Sequence, residues 1–307
     1  MFKYTFARGV VTVSIPVFTG WVVVDDPTVA DVGDYWLAQI FLRTNGLCFS
    51  VLNLKKYNMK NIVALMILSV ILFASCDNTP EPGDVTISLK QTVGDKDFVL
   101  DQMIYQTNAG HPFSISRLRY YLSDFTLHNS NSEENNYHKE MYHLYDKENP
   151  DSYQFTLEAV PAGTYDKITF TFGLDDEKNV DDGLDNTVAN QNMIWPIPGD
   201  HGYHYMKYEG RYDSLGTGVI KNFNTHLGAT QNNQNYFNVT IDLPSKIKVD
   251  NNTWNIDLNM DLLEWYQNPN DYDFVEYGQM IMMNQSAQLV LKANGASVFS
   301  VVGVSGK

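Results

Sequence analysis

The sequence predicts an all-β protein, an antiparallel β-sandwich formed as a single domain. Three observations lead there. From residue 85 onward, short runs alternate apolar and polar residues with a period of two and are rich in β-branched and aromatic types. Clusters of Asn, Asp, Gly, Ser and Pro separate those runs. Sustained helical periodicity is scarce, and many short strands with frequent turns form two packed sheets.

In chain order, "VTISL" (residues 85–89) alternates first. In "SRLRYYLSDFTLHN", Leu118, Tyr120 and Leu122 share one face, whereas Phe125 and Leu127 continue on the opposite parity. A bulge or kink near Ser123 and Asp124 reconciles them. Arg117 and Arg119 fall on one face and require acidic partners on a neighbouring strand. "KITFTFGL" groups Ile168, Phe170, Phe172 and Leu174; "YFNVTIDL" groups Phe237, Val239, Ile241 and Leu243; "WNIDLNMDL" groups Trp254, Ile256, Leu258, Met260 and Leu262. Each run keeps one polar face, as antiparallel sheets allow. One helical turn is expected in "DLLEWYQNP", closed by Pro269.

The N-terminal part reads differently. "MKNIVALMILSVILFASC" starts at Met59, with Lys60 as a positive n-region, an apolar stretch over residues 62–74, and small residues before Cys76. This is the form of a lipoprotein signal peptide over residues 59–75, with Cys76 as the lipidated residue. The apolar run is shorter than the roughly 20 residues that span a bilayer. Residues 1–58 then read as an extension upstream of the true start at Met59. Residues 76–84, including "DNTPEPGD", form a Pro-rich tether, and residues 85–303 the sandwich. The expected location is the cell envelope, lipid-anchored on the periplasmic or cell-surface side of the outer membrane.

The chain has 21 Lys+Arg and 36 Asp+Glu; removing the six basic and four acidic residues that precede Cys76 leaves a net charge of −17. Such a surface repels phosphate backbones, which argues against nucleic-acid binding. The two cysteines, Cys48 and Cys76, both precede the sandwich, so any metal there needs His, Met, carboxylate or carbonyl donors. Esterase, zincin, phosphate-loop and cysteine-nucleophile motifs are missing, so a non-enzymatic role is expected.

The stretch "MIWPIPGDHGYHYMKYEG" (residues 193–210) concentrates Trp195, His201, His204 and Met206. Read as a strand, it points His204, Met206 and Tyr208 to one face. Imidazole with thioether favours copper, especially Cu(I), over Ca²⁺ or Mg²⁺. His226, in "FNTHLG", reaches His204 if "RYDSLGTGVI" turns a hairpin. A hydrogen-bonded core histidine among Met and Tyr is the competing reading. Asp175, Asp176 and Asp181 in "LDDEKNVDDGLDN" are weak calcium candidates; the alternating spacing of an EF-hand loop is absent, and a solvated acidic loop competes. His128, His138 and His143 read as parts of a surface hairpin.

"FSISRLRYYLSDFTLH", "VPAGTYDKITFTFGLDD", "MIWPIPGDHGYHYMKYEG" and "FNTHLG" follow one another in this order. Together they resemble the MbnP-like copper-binding domain family, whose namesake is a periplasmic protein of methanobactin operons. The resemblance covers most of residues 85–302. It implies an exported β-sandwich that binds copper, and a partner related to dihaem peroxidases that oxidises a tryptophan near the copper to kynurenine. By position, Trp195 matches that tryptophan, His226 the histidine of a His-x-Gly block, and His204 lies in a Gly-Tyr…Glu-Gly block. The family's Trp-x-Trp is here Trp195-Pro196-Ile197, without the second tryptophan. The expected function is copper acquisition, storage or delivery by an exported lipid-anchored protein. The alternative is a non-catalytic surface lipoprotein that binds glycan or protein, suggested by the 13% aromatic content.

Overall fold

The computed structural model describes residues 80–199 and 201–306, and before them the backbone of six short strands. The chain divides into two compact units, Met1–Asn78 and Thr79–Lys307. In the first, Lys3–Ala7, Val10–Ile15, Phe18–Val23 and Gln39–Phe41 form an antiparallel sheet, and Arg43–Thr44 pairs with Leu47–Cys48. The signal-peptide and lipidation assignments, residues 59–76, lie outside the described residues.

The second unit is the sandwich. Its main strands are β1 (Gly83–Val93), β2 (Pro112–Asn129), β3 (Tyr137–Asp146), β4 (Gln154–Val160), β5 (Gly163–Phe172), β6 (His204–Asp213), β7 (Ile220–Gly228), β8 (Phe237–Val249), β9 (Thr253–Asp261) and β10 (Phe299–Gly306). One sheet runs β7-β6-β2-β5-β8, with β3 also on β2; the other runs β4-β1-β9-β10. All these pairings are antiparallel except β1 with β9.

The alternating residues read from the sequence fill the space between the sheets. Ile168, Phe170 and Phe172 of β5 are buried against Ile256, Leu258 and Met260 of β9 and their neighbours in one continuous core. Phe172 lies 5.0 Å from Trp265, 5.1 Å from Phe237 and 5.9 Å from Phe299, centroid to centroid. Burial of each such side chain contributes about 1.5–3 kcal/mol. The parity change in β2 is a bulge: the register against β3 shifts between Ser123 and Phe125, and Asp124 takes φ 53°. The Asp124 carboxylate meets Lys178 at 2.8 Å, which holds the bulge to the 175–185 loop.

Short helical elements accompany the strands of the sandwich. Glu264–Tyr266 is the expected turn after β9. Helix α1 (Gln285–Asn294), by contrast, is absent from the sequence reading. The Asn284 side chain caps it by accepting from Ala287 N at 3.1 Å. Its inner face is Ala287, Gln288, Leu291 and Asn294. That spacing is helical, but half of the face is polar, so no apolar period stands out. Those amides are used: Asn294 Nδ2 donates to Trp265 O at 2.9 Å, and Gln288 reaches the edge strand β7.

Candidate metal centre

β6 and β7 form the hairpin that "RYDSLGTGVI" suggested, turning through Ser214–Gly216. Lys207 pairs with His226 and Met206 with Leu227, yet His204 pairs with Gly228. Tyr205 is therefore an extra residue on β6, a β-bulge beside the site. It reverses the parity expected for "HYM". Met206 points into the core with Leu227 and Tyr120, all fully buried. His204 turns instead to the outer face, the face of Lys207, Glu209 and His226. The structure thus brings His204 and His226 together, with centroids 4.8 Å apart and rings perpendicular. It does not bring Met206 to them.

Each imidazole has its tautomer set by its partner. His204 Nδ1 lies 2.9 Å from Met193 O, which can only accept, so Nδ1 carries the proton. His226 Nε2 lies 2.9 Å from the carboxylate oxygen Oε1 of Glu209 and donates to it. The remaining nitrogens, His204 Nε2 and His226 Nδ1, each present a lone pair, and both are buried without a hydrogen-bond partner. Leaving such a group unsatisfied costs about 1–3 kcal/mol. Burial first, then the neighbouring His226 and Lys207, push the His204 pKa down to about 2, so its ring is neutral. Burial opposes ionisation of Glu209, but its hydrogen bond and charge contacts with His226, Arg117 and Lys207 outweigh this and hold its pKa below the ordinary value. Arg117 Nη1 binds the other Glu209 oxygen at 2.7 Å.

Trp195 lies against His204, ring centroids 4.7 Å apart, and its own Nε1 is buried and unpartnered. It is placed by a return of the chain onto β6: His204 N donates to Met193 O at 2.7 Å and Trp195 N to Gly202 O at 2.9 Å. The 175–185 loop clasps that return. Asp181 accepts from Gly202 N at 2.9 Å and meets His201 Nδ1 at 2.8 Å, and Asn179 Oδ1 accepts from Tyr203 N. Asp175 is paired with Lys178 at 3.1 Å, and Asp176 is exposed. Two of the three calcium candidates therefore serve as structural acceptors. His128, His138 and His143 bond separately to Thr169, Thr126 and Ser152 O.

The glycine of the His-x-Gly block has a steric reason. A Cβ on Gly228 would stand 2.4 Å from Cζ3 of Trp195. Gly228→Ala is expected to cost about 1–3 kcal/mol through overpacking and to displace the indole. Tryptophan fluorescence and urea midpoints would check this; an unchanged spectrum with an unchanged midpoint would contradict it.

Among the described residues, no group of three or more His, Cys, Asp or Glu side chains is placed to share a metal ion. The candidate centre is accordingly a pair of imidazoles under an indole. Residues 82–284 match the MbnP family. The chain belongs to the MbnP family. Within this MbnP chain, the solved structure "MbnP from Methylosinus trichosporium" aligns over 62% of the residues and 80% of its own, at 13% identity and a TM-score of 0.43. No curated protein matches. The sequence reading singled out both histidines and the tryptophan, and this MbnP domain places His204 next to each of the other two. It missed the Arg117–Glu209–His226 relay, although the expectation of an acidic partner for Arg117 pointed toward Glu209.

Proposed function

We propose that the protein is an exported copper-binding protein of the MbnP family, taking Cu(I) through His204 Nε2 and His226 Nδ1 beneath Trp195. The observation that carries this reading is the pair of buried imidazole lone pairs with no hydrogen-bond donor to meet them. A soft cation is a partner that such nitrogens can meet. His204 is held neutral by its burial, and the cost of burying an ion rises steeply with its charge, which favours a monovalent ion. Imidazole nitrogen suits copper among the soft and borderline metals. Association of the family with methanobactin and copper systems supports the same ion.

The remaining parts of the reading follow from it. Copper acquisition, storage or delivery in the cell envelope, with a lipid on Cys76, fits a protein that binds without transforming its cargo. A dihaem peroxidase-like partner would find Trp195 as the indole beside the imidazoles, where oxidation would change the donor set. For the alternative of a glycan- or protein-binding surface, Trp195 and Trp265 are buried and Trp254 is half-buried, so the tryptophans offer little exposed ring for sugar stacking.

The test is a competition titration with Cu(I) against a colorimetric chelator, comparing the wild type with the His204→Ala/His226→Ala double variant. One equivalent bound by the wild type and lost in the variant is expected. Equal binding by the two would overturn the assignment. Glu209→Gln removes only the charged acceptor that orients His226 and is expected to weaken Cu(I) binding about 10- to 100-fold. An affinity equal to wild type would deny Glu209 that role.

A further inference from the structure

Chain segment 279–283, "QMIMM", carries three of the protein's 11 methionines within four positions. It runs along the free edge of β7, the strand that bears His226. Asn224 N donates to Gln279 O at 3.2 Å, and Asn224 and Met280 form a parallel bridge. Gln288 Nε2 joins the two tracks by donating to both His226 O, at 2.7 Å, and Ile281 O, at 3.2 Å. Further on, Thr230 Oγ1 donates to Met282 O at 2.6 Å. The segment therefore passes His226 and Gly228 on its way from Asn224 to Thr230.

Its side chains sort by face. Ile281 is 1% exposed and anchors the segment in the core. Met280, paired with Asn224, lies on the face that Asn224 shares with His226, because bridged residues project to the same side and alternate residues along a strand share a face. Met280 is 73% and Met283 65% exposed, and Met282 is half-buried. Methionine ordinarily fills irregular gaps in cores. Here two thioethers are held in water by a backbone that is hydrogen-bonded in place along the strand that bears His226. Packing does not account for them. Thioether sulfur does have a selective chemistry: it binds soft cations such as Cu(I) and disregards Ca²⁺, Mg²⁺ and protons.

We propose that Met280, Met282 and Met283 form a surface receiving site for a soft monovalent cation, which captures Cu(I) from a small-molecule thiol complex and passes it to His204 and His226. The proposal rests on the copper reading for its destination, but capture itself does not need the histidines. Only metal–ligand bonds are exchanged, the released thiolate takes a proton from solvent, and the ion stays Cu(I) throughout.

Two experiments on the full chain separate the ideas. In the first, Ag(I), a redox-inert stand-in for Cu(I), is titrated into His204→Ala/His226→Ala protein labelled with [methyl-13C]methionine. Shifts of the Met280 and Met283 methyl signals are expected while buried Met206 and Met260 stay still. No methionine shift would overturn the receiving site. In the second, Cu(I) is presented as its glutathione complex to the wild type and to Met280→Leu/Met282→Leu/Met283→Leu. Uptake is expected to slow about tenfold with the equilibrium affinity unchanged. Equal uptake rates would also overturn the proposal. Methionine shifts without any histidine-dependent Cu(I) binding would instead retain the receiving site and remove the buried centre.

Discussion

His204→Ala is expected to lower Cu(I) affinity by more than about 100-fold, since even changes to residues behind a metal ligand cost about 10- to 100-fold. The argument is positional. His204 is fixed by two hydrogen bonds to the same carbonyl, Met193 O, one from its backbone N at 2.7 Å and one from Nδ1 at 2.9 Å. Its free nitrogen is consequently aimed, not mobile, and among the described residues no other imidazole is in ring contact with His226. His226→Ala should show a loss of the same order. Met206→Leu is the informative control: its side chain faces the core, so affinity should stay within a few-fold of wild type. A large loss in that variant would mean that the bulge at Tyr205 does not orient the strand as described.

The second large effect is on stability against acid. In the unfolded chain His204 titrates near 6.5, whereas in the folded protein burial, then His226 and Lys207, push it down to about 2. Below pH 6.5 the unfolded state therefore binds a proton that the folded state refuses, so stability falls as pH falls. The loss approaches about 1.4 kcal/mol per pH unit and continues until the folded value is reached. Between pH 6.5 and 4.5 the metal-free protein should lose about 2 kcal/mol from this residue alone. Urea midpoints at pH 7, 5.5 and 4.5 for the wild type and His204→Gln would show it. The gap between the two proteins should move in favour of the variant with acid, whatever its starting size. Parallel pH profiles would mean that His204 accepts a proton in the folded state.

How much of this could be read in the sequence depends on which physical signal each element leaves. Strands packed on one side announce themselves by alternation, so β5, β8 and β9 were legible, as was the break in β2 where Leu122 and Phe125 conflict in parity. Helix α1 was hidden because Gln288 and Asn294 occupy inward positions that an apolar count passes over. Their burial makes sense only once the carbonyls they serve, His226 O and Trp265 O, are known. Both histidines and Trp195 were legible as residue types in a short compass. Which face His204 takes was not, because a bulge adds one residue without any mark in the local composition. The role of Asp181 was hidden for a related reason: a carboxylate that accepts from Gly202 N and meets His201 looks, in sequence, like any acid in a polar loop.

The bulge at Tyr205 has a bearing on how such a centre is inherited. The hairpin of β6 and β7 is a frame in which every position faces either the oily interior or the rim, and Tyr205 is the single step that changes the phase for everything before it. Loss of this one codon would leave His204 opposite Gly228 and directly before Met206, where ordinary alternation still turns it away from Met206 and toward the rim. What brings the two imidazoles to one face is the pairing of His204 with Gly228, which a triplet gained or lost between His204 and Met206 leaves in place. Within one fold, then, the spacing between the two histidines can vary by one residue at this step, and an alignment gap at Tyr205 is no sign that the imidazole pair has been lost.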